Sequence, residues 1–167
     1  MGESGRIWVD WAIQWGNETV LLGEYRLSLD DKGRLSVPAV LRHTLRELYA
    51  PDEHTLVLTK YFENCLVVYP KTVWIEIQEQ LLELRNDAST RAFLRQFCAS
   101  ANVCNLDRQG RILIPPKLRQ YAEIDSEAFM IGVVRKLELW SPARWEAYDT
   151  DQSSRFESHT RLMALRL

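Results

Sequence analysis

Aspartate and arginine stand four residues apart at two places in this chain. Asp30 and Arg34 flank the triplet Asp31-Lys32-Gly33, and Asp107 and Arg111 flank Arg108-Gln109-Gly110. Two kinds of chemistry fit such a pair. The first is an ion pair that pins a tight turn, worth about 0–1 kcal/mol when exposed. The second is a carboxylate that holds a guanidinium ready for a ligand, since arginine's planar fork suits phosphates and guanine edges. Lys32 and Arg108 place a further positive charge in each triplet.

Other candidates for chemistry are thin. Asp30, Asp31 and Asp107 with His43, His54 and His159 supply acids and bases, but no pair has metal-ligand spacing. No GxSxG, P-loop or HExxH motif occurs. With only seven glycines, a phosphate cradle is not expected. The histidines read as surface or helix residues. Cys65, Cys98 and Cys104 form no CxxC pair, so they read as small core hydrophobes of a reducing cytosol. The expectation is a protein that is no enzyme, with no metal, no cofactor and no small-molecule substrate.

The elements that position the pairs are written twice. "LDDKGRLSVPAVLR" spans Leu29–Arg42, and "LDRQGRILIPPKLR" spans Leu106–Arg119, 77 positions later; seven of the fourteen residues are identical. Tyr25, Leu27 and Leu29 alternate with polar residues, as in a half-buried strand. Gly33 suits the left-handed third position of a three-residue hairpin loop, and Leu35 and Val37 continue the alternation on the returning strand. Pro38 then opens a short helix with Leu41 and Leu45 on one side. Strands around 56–59 and 65–69 follow. A longer helix opened by Pro70 carries Val73, Trp74, Ile77, Leu81 and Leu84 at helical spacing. A second helix over 89–98 is expected to bury Ala92, Phe93 and Phe97. Further on, Trp145 follows Trp74 by 71 positions, so both read as core anchors.

The repeated unit is strand, hairpin, helix, two strands and helix. One copy has about 45 residues in its sheet portion, too few to close a core alone. Two copies packed face to face about a pseudo-two-fold axis share one. The fold class is α+β with a mainly β core. The divisions are an N-terminal extension (1–22), unit 1 (23–70), connecting helices (71–98), unit 2 (99–141), and a C-terminal helix and tail (142–167). The tail, residues 152–167, reads either as an amphipathic helix or as a frayed segment.

Composition bounds the partners. The chain has 167 residues and a net charge of −2, so any polyanion must be met by a local patch. No apolar run approaches the ~20 residues of a membrane helix, and the N-terminus lacks the order of a signal peptide.

"GEYRLSLDDKGRLSVPAVLR", "LVVYP", "LDRQGRILIPPKLR" and "LELWSPARWEAY" together resemble the MraZ family of bacterial transcriptional regulators, over roughly residues 22–148. The resemblance implies tandem AbrB-like (swapped-hairpin) units with flanking helices. It also implies a ring-shaped homo-oligomer in the cytoplasm, associated with the nucleoid. The DNA it implies is a set of G-rich direct repeats upstream of the protein's own gene, at the head of the division and cell-wall gene cluster. The family's DNA-contacting arginine falls on Arg34, with Asp30 as its partner, Asp107 and Arg111 as the second copy, and Lys32 and Arg108 as tip cations. A scaffold that binds protein, or an antitoxin-like regulator that binds a toxin through its tail, is the alternative.

Residues 1–19 depart from the family pattern. Trp8, Trp11 and Trp15 fall at helical spacing, which predicts an amphipathic helix. A second reading uses the codons. Trp is TGG, and Val9, Ala12 and Gly16 all have codons beginning with G. TGGG therefore occurs three times, at intervals of nine and twelve base pairs. These straddle the ~10–10.5 base pairs of a helical turn. On that reading residues 1–19 are translated operator and Val20 is the start.

Overall fold

The computed structural model describes residues 20–163. The expectations for Trp8, Trp11 and Trp15, and for residues 1–19 as translated operator, lie outside the described residues, as does the end of the tail.

Among the described residues, eight strands and six α-helices follow one another in two similar series. The first comprises β1 (Leu21–Ser28), β2 (Arg34–Ser36), α1 (Ala39–Tyr49), β3 (Thr55–Lys60), β4 (Leu66–Pro70), α2 (Lys71–Leu82) and α3 (Ala88–Ser100). The second comprises β5 (Asn102–Asn105), β6 (Arg111–Leu113), α4 (Pro116–Ala122), β7 (Glu127–Val134), β8 (Lys136–Trp140), α5 (Pro142–Ser153) and α6 (Phe156–Leu162). The α+β class with a mainly antiparallel core stands. Pro38, Pro70 and Pro115 occupy the N-cap positions of α1, α2 and α4, one residue earlier than the first helical position. Asp87 caps α3 by accepting the Thr90 amide at 2.8 Å.

The sheet order is β1-β7-β8-β4-β3-β5, and it reads as a palindrome of the two series. Strands β8 and β4 meet at the centre, with Leu66 opposite Leu139 and Val68 opposite Leu137. The halves therefore join edge to edge through one continuous sheet, not face to face as the sequence suggested. The edge strands are exchanged: β1 pairs with β7, and β5 pairs with β3. This corrects the local hairpin. The hairpin closes only at its tip, through the bridge Leu29–Leu35 just beyond β1 and the Asp30 amide on the Arg34 carbonyl, while β2 pairs with β6 of the other half. Alternation states which face of a strand is buried; it does not name the neighbouring strand.

The main core draws on both halves. Leu35, Val37, Leu41, Leu45 and Leu58 pack in one cluster with Ile112, Ile114, Leu118, Met130 and Leu139, all nearly inaccessible to solvent. Two satellite clusters lie under the helices. Trp74 joins Tyr69 and Phe97, its ring centroid 5.6 Å from that of Phe97. Trp145 joins Trp140 and Phe129. Both tryptophans are thus half-buried in peripheral clusters and not in the central core.

Three further expectations fail at the helices. Ala92 and Phe93 are exposed, and Cys98 is exposed while Cys65 and Cys104 are buried. The apolar stripe of α3 reaches the sheet only at Phe97, because α3 lies against β3 near its C-terminal end, where Thr59 donates to the Phe97 carbonyl at 2.8 Å. Helix α2 ends at Leu82, which lies in solvent, so Leu84 falls beyond the helix and is exposed as well.

Candidate nucleic-acid interface

Each Asp-x-x-x-Arg motif builds its own turn. The Asp30 amide donates to the Arg34 carbonyl at 2.8 Å, and the Gly33 amide returns to the Asp30 carbonyl at 2.9 Å. One Asp30 carboxylate oxygen accepts the Lys32 and Arg34 amides at 3.0 and 2.9 Å. The other accepts Arg34 Nε at 2.7 Å. Gly33 adopts φ +79°, the left-handed conformation that favours glycine. The second copy repeats this: Asp107 accepts the Gln109 and Arg111 amides and Arg111 Nε at 2.8, 2.9 and 2.8 Å. Gly110 has φ +74°.

The turn geometry has an electrostatic consequence. The Arg34 amide above all, then its guanidinium and the Lys32 amide, hold the Asp30 carboxyl below its usual range. Asp107 is lowered likewise by the Arg111 amide, the Arg111 guanidinium and the Gln109 amide. A carboxylate lowered on folding stabilises the fold fully above its unfolded pKa of about 3.9, and the contribution is lost as pH falls through the lower folded value. Removing both carboxylates as Asp30→Asn with Asp107→Asn should therefore lower the melting temperature by an amount constant between about pH 5 and 7 and shrinking below about pH 4. Melting curves of the two proteins across that range check this.

The pairing of β2 with β6 brings the motifs together. Arg34 faces Leu113 and Ser36 faces Arg111 on the outer side of this two-stranded ribbon, while Leu35 and Ile112 face each other on the core side, each 1% exposed. The two arginines thus lie on a diagonal of one surface, where neighbours on a ribbon stand about 7–8 Å apart. The carboxylates are close enough to be shared: Arg111 Nη1 is 3.9 Å from Asp30 as well as bonded to Asp107. Lys32 and Arg108 are exposed in the two loops, at opposite ends of the ribbon because the strands are antiparallel.

Two residues escaped the sequence reading. Arg42 and Arg119 close the two repeated stretches, each eight positions after its motif arginine. Arg42 Nε donates to the Val37 carbonyl at 3.0 Å, and Arg119 Nε donates to the Ile114 carbonyl at 3.1 Å. Their identity in both copies was the available signal. What it could not show is that each side chain lies against the turn glycine of the opposite unit, Arg119 over Gly33 and Arg42 over Gly110.

The tandem arrangement has relatives. A family model described as "MraZ protein, putative antitoxin-like" matches the chain twice, over residues 20–96 and 97–167. The chain belongs to the MraZ family. The protein of Moorella thermoacetica named Transcriptional regulator MraZ is 43% identical over 140 residues, covering 83% of this chain and 93% of the relative. Proteins of the same name from Desulforamulus reducens and Alkaliphilus oremlandii are 39% and 38% identical, over 83% and 87% of this chain and 93% and 97% of theirs. The two MraZ matches part inside α3, the last element of the first series. The MraZ repeat thus corresponds to one half of the palindromic sheet. Each half lends an edge strand to the other.

Proposed function

We propose that this chain is a sequence-specific DNA-binding transcriptional regulator that works as a ring-shaped homo-oligomer. Its targets are G-rich direct repeats upstream of its own gene, in the division and cell-wall cluster, which places it in the cytoplasm at the nucleoid. The observation that carries this reading is the outer face of the β2–β6 ribbon. There the Arg34 and Arg111 guanidiniums each donate a hydrogen bond to their own carboxylate through Nε, and among the described residues their terminal amino groups donate none, the nearest approach being Arg111 Nη1 at 3.9 Å from Asp30. That leaves their terminal amino groups for phosphates and guanine edges. A two-stranded ribbon is narrow enough to enter a major groove. The names of the MraZ relatives support the same reading.

Arg34 is the principal contact and Arg111 the lesser one. Arg111 is shared between two carboxylates and is the less exposed of the two side chains, 26% against 31%. Lys32 and Arg108 add phosphate contacts, and Asp30 and Asp107 orient the guanidiniums. The role is binding, without catalysis or cofactor. Among the described residues no helix is long and apolar enough to cross a membrane.

A protomer of net charge −2 binds a polyanion weakly, so assembly supplies the affinity. Repeated tips that meet repeated DNA sites convert later contacts into intramolecular ones. Leu82, Ile75 and Phe93 on α2 and α3 are exposed apolar residues suited to self-association. Light scattering on a size-exclusion column should report an assembly well above a dimer at micromolar concentration. Affinity for the upstream duplex should fall steeply with salt, by about one power of ten in affinity per tenfold salt for each phosphate neutralised. A monomer, or a flat salt plot, would contradict the reading. The same apolar residues also fit a protein-binding scaffold or antitoxin-like role, which a stoichiometric partner on native purification would reveal.

A further inference from the structure

The two repeated arginines that lie outside the Asp-x-x-x-Arg motifs form closed circuits between the two pseudo-symmetric halves of the chain. The Ile114 amide donates to the Gly33 carbonyl at 3.0 Å. The Ile114 carbonyl in turn accepts Arg119 Nε at 3.1 Å. The Arg119 guanidinium then lies back on Gly33, so close that a Cβ built there would stand 2.7 Å from its Cζ and Nε. The second circuit is the image of the first. Val37 donates to the Gly110 carbonyl at 2.9 Å, Arg42 Nε donates to the Val37 carbonyl at 3.0 Å, and a Cβ on Gly110 would stand 2.6 Å from Arg42 Cδ. Both glycines are buried although their loops are exposed. The cover is the opposite unit's arginine. No ion pair among the described residues engages Arg42 or Arg119, so a carboxylate does not account for where they lie.

We propose that Arg119 and Arg42 are positioning residues that act crosswise: Arg119, in the second unit, sets the shape of the Asp30–Arg34 loop, and Arg42, in the first, sets that of the Asp107–Arg111 loop. The flat guanidinium fills the space that glycine leaves and presses on the peptide whose carbonyl ties the loop to the ribbon. The Lys32 and Arg34 amides can then stay on the Asp30 carboxylate, and Arg34 keeps its direction. The consequence for DNA rests on Arg34 being the principal contact. A change in the second repeat would then disable the reading arginine of the first, and the equivalent change in the first repeat would do less harm.

Hydrogen–deuterium exchange of the full-length oligomer, read by mass spectrometry on peptides spanning 29–36 and 106–113, which leave out Val37 and Ile114 of the opposite circuits, tests the crosswise action without DNA. Arg119→Met should speed exchange about tenfold in the first peptide and leave the second near its native rate. Arg42→Met should do the reverse. A general loss of stability would move both peptides in both variants, and that result would overturn the proposal. So would loosening confined to the variant's own unit. Arg119→Lys keeps the charge and the length but lacks the flat group and Nε, so it should still loosen 29–36. Full restoration by lysine would reduce Arg119 to a plain charge and also overturn the idea. If Arg119→Met does not fold, Arg119→Gln, which withdraws the flat group from Gly33 and removes Nε, should loosen the same peptide. In a gel shift with the upstream duplex, Arg119→Met should lose about tenfold or more in affinity and Arg42→Met distinctly less. Arg34→Ala is run beside them. Normal binding by Arg34→Ala would refute the proposed DNA contact, while the exchange pattern would still decide the crosswise role.

Discussion

Arg34→Ala should abolish specific binding of the upstream duplex, a loss of at least about a hundredfold, while the protein still folds and assembles. A good bidentate contact to a base is worth about 1–3 kcal/mol at a single tip. In an oligomer that engages several repeats the loss recurs at every tip, so the effect on affinity multiplies. The substitution also leaves Asp30 on the outer face without its guanidinium, so a carboxylate is turned toward phosphates. Stability should change little, because the Arg34–Asp30 pair is about one-third exposed on both sides and such pairs contribute about 0–1 kcal/mol. Arg111→Ala should weaken binding by a smaller factor. Fluorescence anisotropy with labelled duplex, alongside a melting curve and light scattering, measures all three quantities. Equal losses from the two variants would show that the diagonal works as one symmetric site. Normal binding by Arg34→Ala would remove the assignment altogether.

Leu35→Ala and Ile112→Ala should each lower stability by about 3 kcal/mol, within the range for large-to-small changes at fully buried sites. The two residues face each other on the core side of β2–β6 and belong to the cluster that both halves share. Neither half can relax around the cavity alone. The double variant should therefore depart from additivity, as neighbours do. Urea unfolding of the native chain should show one cooperative transition, and each variant should shift it as a whole. Separate transitions for the two halves would show that the swapped strands do not couple them. Against a total stability of about 5–15 kcal/mol for an ordinary domain, a 3 kcal/mol loss is easily read.

Local chemistry was legible in the residues alone. Asp30, Gly33 and Arg34 lie within five positions of one another, and the turn they make needs no distant partner: a carboxylate accepts two amides ahead of it and glycine takes the left-handed φ. Pro38, Pro70 and Pro115 mark helix starts for an equally local reason, a fixed φ and a missing amide proton. The duplication was legible because copying preserves spacing, and with it came the need for a shared core and the family resemblance.

Tertiary structure decided what depends on neighbours distant in the chain. That β1 lies beside β7 and β2 beside β6 follows from how two sheet halves share edges, and alternation is identical whichever neighbour is chosen. Helical spacing drew a stripe through Ala92, Phe93 and Phe97, yet only Phe97 is covered, because a stripe gives a direction and not the distance to which a core extends. The candidate site shows the same division. Each Asp–Arg turn was written in its own five residues. The placing of Arg34 and Arg111 on one diagonal, and of Arg119 over Gly33, required contacts between residues 75 to 86 positions apart, and packing of two units against each other is what creates them.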